Sequence, residues 1–183
     1  MAAVKDRVDI DALIGADPIK GAWLSDSGVY RYALWRIWDR HLPRLPVCML
    51  NPSTADGHRD DATIRRLIAF AKREGYGGII VVNLFAFRAT EPTSLRGRHY
   101  DLIVGPRNNA AIEAAIPEGS VVLCGWGAFD GMQRNGRGQT RSADFMGYLA
   151  HVEARPLCLG RTAGGSPRHP LYVRADQPMV AFE

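Results

Sequence analysis

Ile79-Ile80-Val81-Val82-Asn83-Leu84-Phe85 is the clearest buried strand in the chain. The run is continuous, rich in β-branched residues and preceded by Gly77 and Gly78. Central strands of parallel sheets look like this, because both of their faces are covered and no alternation is needed. Asn83 is the polar residue inside the run. Burying an amide without partners costs about 1–3 kcal/mol on mutational scales. Either the fold satisfies it internally or a ligand does.

Upstream of this strand, Ala62 to Glu74 has the pattern of a helix, with Ile64, Leu67, Ile68 and Ala71 on one face. Asp60 or Asp61 can cap its start, and Gly75, Gly77 and Gly78 end it. Arg65, Arg66, Lys72 and Arg73 fall mostly on the solvated face. Before the helix, Leu45-Pro46-Val47-Cys48-Met49-Leu50 forms a second short buried strand. Asn51-Pro52 stops it. Pro52 also biases Asn51 toward an extended backbone, which presents the Asn51 amide at the strand's carboxyl end. Further back, the aromatic stretch Tyr30 to Trp38 partly alternates and predicts one or two edge strands after the turn Ser25-Asp26-Ser27-Gly28. Trp35 and Trp38 suit packing rather than a ligand cage. Residues 1–20 mix charge with Gly15, Asp17 and Pro18 and are expected to be a loosely attached lead-in.

Downstream, residues 106–116 predict a helix packing through Ala110, Ile112, Ala115 and Ile116. Ser120 to Cys124 is a third strand, followed at once by Gly125-Trp126-Gly127. Arg134 to Arg141 is a Gly- and Arg-rich loop expected to be mobile, and Phe145 to Val152 a further helix. Arg155 to Gly160 is a fourth strand, Thr162 to Pro167 a loop, and Arg168-His169-Pro170-Leu171-Tyr172 the last informative block. Strands alternating with helices predict an α/β fold. The expectation is a three-layer α/β/α sandwich around a central, mostly parallel four-stranded sheet, with extra N-terminal edge strands. One domain would span residues 1–183. Ligands bind at the carboxyl edge of such sheets. Asn51, Asn83 and the loop holding His169 would meet on that edge.

Composition narrows the function classes. The hydrophobic content of 46% is ordinary for a globular chain, and the net charge of +4 is compatible with a polyanionic partner. Cys48, Cys124 and Cys158 each sit inside an apolar segment and read as small buried hydrophobes. An odd count without CxxC spacing argues against a disulfide framework and against a zinc or iron-sulfur site built from cysteine alone. No apolar run is long enough for a bilayer, and Met1 to Arg7 lacks a signal-peptide core. The expected compartment is the cytoplasm. Gly125, Gly127 and Gly131 do not have G-x-G-x-x-G spacing, and no acidic residue sits at the distance a dinucleotide fold requires.

The rim residues carry a specific chemistry. Asn51 is not a strong base, but it can hold a water by hydrogen bonds. Asn83 offers a donor-acceptor pair that matches the edge of uracil. His169 can donate a hydrogen bond to charge developing on a leaving group. Together they suit hydrolysis of an N-glycosidic bond through an oxocarbenium-like state. The plain alternatives are that Asn51 only makes a turn and that backbone groups satisfy Asn83. For Asp60 and Asp61 the favoured reading is helix capping, and the alternative is a carboxylate that activates water beside Asn51.

Leu50-Asn51-Pro52-Ser53 resembles the first motif of the mismatch-specific branch of the uracil-DNA glycosylase superfamily. Val81 to Pro92, with its strand ending in Asn83, resembles that superfamily's second block, and His169-Pro170-Leu171 resembles its His-Pro wedge motif. Val121 to Gly127 stands where these enzymes have a strand ending in glycine. The chain also resembles a domain family without an assigned function, marked by the same Asn-Pro-Ser-Thr-Ala-Asp and Pro-Arg-His-Pro-Leu-Tyr blocks.

The resemblance implies a DNA glycosylase that removes uracil or related damaged bases in base excision repair. Its partners would be DNA containing such bases, with free uracil as product, no membrane, no cofactor and no metal, acting as a monomer. Asn51 and His169 would be catalytic. Asn83 would read the base, with Ser53 and Arg88 as substrate contacts. Leu171, Tyr172 and Arg174 would lie on the loop entering the duplex. Arg168, with backbone amides around Ser53 and Thr54, would touch phosphates. The expected stacking Phe after the first motif is missing, leaving Phe85 or Phe87 as substitutes, with core packing as the plain alternative for either. The alternatives are a nucleobase- or nucleic-acid-binding domain without glycosylase activity, or an enzyme acting on free nucleosides or nucleotides.

Overall fold

The computed structural model describes residues 8–16, 19–53, 55, 57–128 and 134–183. Chain order runs α1 (Ile10–Ala16), β1 (Lys20–Leu24), β2 (Arg31–Ile37), β3 (Arg44–Met49), α2 (Ala62–Arg73), β4 (Gly78–Asn83), α3 (Tyr100–Val104), α4 (Asn108–Ala115), β5 (Val121–Cys124), α5 (Arg141–His151), β6 (Arg155–Cys158) and β7 (Val180–Ala181). The strands form one mixed sheet of seven, ordered β1-β2-β4-β3-β5-β6-β7. Strands β4, β3, β5 and β6 are mutually parallel, while β1, β2 and β7 pair antiparallel at the two sides. The four parallel strands are the four expected from the sequence.

All six residues of β4 are buried, and they divide between two cores. Ile79 and Val81 pack with Ile64, Leu67 and Phe70 of α2. Ile80 and Val82 pack with Ile10 and Ile14 of α1, Ile112 of α4 and Phe145 and Leu149 of α5. Successive strand residues point to opposite faces, so helices cover both sides of the sheet. Cys48, Cys124 and Cys158 are free and buried.

The expected N-terminal edge strands are β1 and β2, antiparallel at one side of the sheet; β1 is the outermost, and all seven residues of β2 are buried, including Arg31 and Arg36. Arg36 answers its burial with a 2.7 Å ion pair to Asp60. Strand β1 provides the edge, and Gly21 is required there, because a Cβ would fall 2.2 Å from the Trp35 ring. Several expectations change. Within the supposed lead-in, residues 10–16 are helical. The Asp9 carboxylate accepts from the backbone N–H groups of Asp11 and Ala12, and Ile10 and Ile14 enter the core. Residues 1–7, 17 and 18 of that lead-in lie outside the described residues.

Helix α5 begins four residues earlier than expected. The Thr140 hydroxyl caps it by accepting from the Ala143 N–H. Arg141, expected in a mobile loop, is therefore buried at the helix start. Strand β7 was not expected either, since two residues carry no periodic signal. Among the described residues no helix is long and apolar enough to cross a membrane.

Candidate functional site

Because the four central strands are parallel, their carboxyl ends share one edge, and each end contributes to one cavity of about 750 Å³. Asn51 follows β3, Asn83 closes β4, Trp126 and Gly127 follow β5, and Thr162, Ala163, Arg168 and His169 follow β6. Asp61 and Ile64, from the start of α2, complete one wall. Asn51, Asn83, His169, Ser53, Arg168, Leu171 and Tyr172 all line this cavity, as does Arg31, which the sequence did not single out.

Asn83 is fully buried, and neither Nδ2 nor Oδ1 of its side chain has a hydrogen-bond partner in the protein. Its backbone is held from behind. Asn108 of α4 donates from Nδ2 to the Asn83 and Leu84 carbonyls, both at 2.9 Å, and Arg141 of α5 donates from Nε to the Leu84 carbonyl. The amide is thus placed by two buried polar side chains and left with donor and acceptor unused at the cavity wall.

Asn51 presents the opposite case. Its Nδ2 donates to the carbonyls of Pro52 at 3.1 Å and Ala89 at 2.8 Å. Both partners are acceptors, so the amide orientation is unambiguous. What remains is Oδ1, which can only accept a hydrogen bond.

His169 stands on the loop after β6. Its Nδ1 accepts from the Leu171 N–H at 3.3 Å. The neutral ring then carries its proton on Nε2. Burial pushes the imidazole pKa below its ordinary value, and the Asp61 carboxylate opposes this. The neutral, Nε2-protonated ring is therefore the favoured form near neutral pH, and it offers a donor.

Glycines let this loop close on the sheet. A Cβ on Gly125 would lie 3.1 Å from Met49 Sδ and 3.2 Å from Pro170 Cδ. Gly127 has φ +75° and donates to the Pro167 carbonyl at 2.9 Å. The Gly125-Trp126-Gly127 block is a seat for the His169 loop. Gly131 is outside the described residues.

Asp61 caps α2, with Oδ1 accepting from the Ile64 N–H at 2.8 Å and Oδ2 accepting from the Ser53 hydroxyl at 2.6 Å. Capping is therefore its structural role, and its carboxylate also faces the cavity. Arg31, buried in the wall, donates to the Ala55 carbonyl at 2.7 Å. Its signal in the sequence was a cation between Tyr30 and Tyr32 within an aromatic strand.

Four predicted residues lie elsewhere. Phe85 is core: it is fully buried and meets the Tyr100 ring edge-on with centroids 6.2 Å apart. It cannot stack on a ligand, because the chain beyond β4 turns it toward α3. Phe87 is covered by the Arg98 guanidinium at 4.6 Å and also does not line the cavity. Arg88 turns away to donate to the Gly28 carbonyl at 3.1 Å. Arg174 is exposed beyond the cavity and pairs with Asp176 through 3.0 and 3.1 Å bonds. The aromatic residues that do line the cavity are Trp126 and Tyr172. Thr54, proposed to present a backbone amide, is outside the described residues.

The loop carrying Leu171 and Tyr172 is anchored by Arg66, which donates to the Pro170 and Val173 carbonyls. Leu171 and Tyr172 are left exposed at 40% and 80%. Among the described residues no group of His, Cys, Asp or Glu is arranged to hold a metal.

Residues 31–171 match a family model described as "Protein of unknown function (DUF1643)". No curated protein and no solved structure matches the chain.

Proposed function

The chain belongs to the DUF1643 family, described as of unknown function, and for it we propose a DNA glycosylase that hydrolyses the N-glycosidic bond of uracil or a related damaged base. The observation that carries this reading is the Asn83 amide, fully buried and without a protein partner at the wall of a large cavity. A pyrimidine edge with adjacent N–H and C=O groups pairs with that donor and acceptor and removes the burial penalty.

The flanking groups complete the reaction. The Asn51 Oδ1 accepts from a water and holds it for attack at C1′. The Nε2–H of His169 donates to the carbonyl oxygen of the base, where negative charge grows as the glycosidic bond breaks. Tyr172 is the available ring face, since Trp126, which also lines the cavity, is buried against Phe145 and Phe182. Leu171 and Tyr172, held out by Arg66, would enter the base stack, with Arg168 on the phosphate backbone. The motif resemblance to the uracil-DNA glycosylase superfamily supports the same reading. We take the helices on both sheet faces as the three-layer sandwich of that superfamily.

A duplex carrying a single uracil tests the activity. Incubation with excess protein should leave an alkali-labile abasic site and release free uracil. An intact strand after long incubation contradicts the proposal. A second reading, an enzyme on free nucleosides or nucleotides, is favoured by the cavity volume of about 750 Å³. Small-molecule sites span roughly 300–1,000 Å³, so a base with its sugar and phosphate fits inside. Release of uracil from deoxyuridine or its monophosphate, but not from DNA, selects that reading. Binding of the base without any product selects a non-catalytic domain.

A further inference from the structure

If the protein hydrolyses a glycosidic bond, the attacking water must lose a proton, and the cavity limits where that proton can go. Asn51 is excluded. Its Nδ2 is committed to two carbonyls, and an amide oxygen is a hydrogen-bond acceptor rather than a base. His169 is engaged as an acceptor at Nδ1 by the Leu171 N–H, and its other nitrogen carries the proton that faces the base. Among the described residues, the carboxylates lining the cavity are Asp61 and Glu91. Glu91 is exposed on the segment before the Pro92–Leu95 turn and makes no side-chain capping bond there. Asp61 is half-buried and locked, one oxygen on the Ile64 N–H and the other on the Ser53 hydroxyl at 2.6 Å.

We propose that Ser53 and Asp61 form the proton path for the hydrolytic water, an assignment that rests on the glycosylase reading. The Ser53 hydroxyl gives its hydrogen to Asp61, so its oxygen lone pairs are the part left to accept from a water in the cavity. Asn51 Oδ1, two residues away on the same turn, accepts the water's other hydrogen. In the step, the water oxygen forms its bond to C1′ as the C1′–N bond breaks, and that electron pair leaves with the base. The water proton passes to Ser53 Oγ while the Ser53 proton moves to Asp61 Oδ2. The base anion, held by His169 Nε2–H, takes a proton from solvent, and Asp61 returns its own to solvent. Ser53 is thus the group that touches the water, and Asp61 acts through it.

This explains why a capping residue is drawn into the cavity wall. A cap needs one oxygen. The second oxygen of Asp61 is spent on a serine that also lines the cavity.

The test uses the full-length protein and single-turnover release of uracil from a duplex. Asp61→Asn keeps a capping oxygen but cannot take up a proton. General-base contributions run about 10²–10⁴-fold, and Asp61→Asn is expected to lose at least the lower figure. Ser53→Ala should lose rate in the same direction, and Ser53→Thr, which restores a hydroxyl, should recover most of that loss. Affinity for a duplex carrying a 2′-fluorinated uracil nucleotide, which resists hydrolysis, should stay within about twofold for all three variants, because a proton path acts on kcat and not on ground-state binding.

Uracil release by Asp61→Asn and Ser53→Ala at the wild-type rate overturns the proton path and leaves the glycosylase reading standing. Equal losses of rate and of affinity mean that the pair only shapes the turn, and also overturn it. Failure of the wild-type protein to release uracil overturns the glycosylase reading and the path together.

Discussion

Asn108 holds Asn83 from behind: its Nδ2 lies 2.9 Å from the Asn83 carbonyl and 2.9 Å from that of Leu84, with both asparagine side chains fully buried. Asn108 spends its Nδ2 on fixing backbone while its Oδ1 has no partner, and the Asn83 amide is left wholly unspent at the cavity wall. Replacing Asn108 with Leu removes both bonds and also removes the unpaired Oδ1. The expected loss is on the order of 1–2 kcal/mol, from two buried bonds partly offset by removal of the unpaired Oδ1. Urea denaturation checks this, and a lower midpoint with an unchanged slope is the predicted form.

Asn83→Leu should behave in the opposite sense. A buried amide with no partner destabilises the fold, so an apolar side chain of similar size should leave stability unchanged or raise it, by roughly 1–3 kcal/mol at most. The same substitution should abolish base binding. A residue whose removal stabilises the protein while ending its function is a ligand contact, and the pairing of urea midpoint with uracil binding distinguishes it from a structural asparagine.

His169 gives stability a pH dependence of known sign. Burial lowers its pKa in the folded protein, with Asp61 opposing, so below the unfolded value of about 6.5 the folded chain binds fewer protons than the unfolded one. The neutral ring's contribution is fully present above that pH. It is lost as the pH falls through the folded pKa. His169→Gln should lose less stability than the wild type between neutral and mildly acid pH, measured by denaturation at matched ionic strength.

Tyr172 is 80% exposed, with its ring centroid 5.4 Å from that of His169. Tyr172→Ala should change stability by less than about 0.5 kcal/mol. If the loop meets nucleic acid, the loss of one stacking face should weaken DNA binding by about tenfold, from a contribution of roughly 1–3 kcal/mol per stacked base. Fluorescence anisotropy with a labelled duplex measures it.

Much of the fold was legible because its signals are local. The apolar run before Asn83, the Asn51-Pro52 stop and the 3.6-residue pattern from Ile64 to Ala71 identify β4, β3 and α2 directly. Their parallel order then brings Asn51, Asn83 and His169 to one edge. The parts that were missed depend on distant partners. Arg31 reads as an edge-strand cation until Leu24 of β1 pairs on one side, the Ala86 carbonyl takes its N–H on the other, and the Ala55 carbonyl takes its guanidinium. Arg141 reads as loop until Thr140 caps α5 and the Leu84 carbonyl takes its Nε–H. Phe85 looked available for stacking because nothing in its own segment shows that Tyr100 lies against it. Asp61 carried two readings, cap and cavity carboxylate, and only the Ser53 contact shows how one side chain faces both.

A crystal structure of the protein with uracil bound shows directly whether Asn83 grips the base. The ring is expected in the cavity, its N–H and C=O edge within about 2.7–3.2 Å of the Asn83 Oδ1 and Nδ2 and a carbonyl oxygen on His169 Nε2. A ring bound elsewhere, or an Asn83 amide that pairs only with solvent while uracil saturates another site, would contradict it.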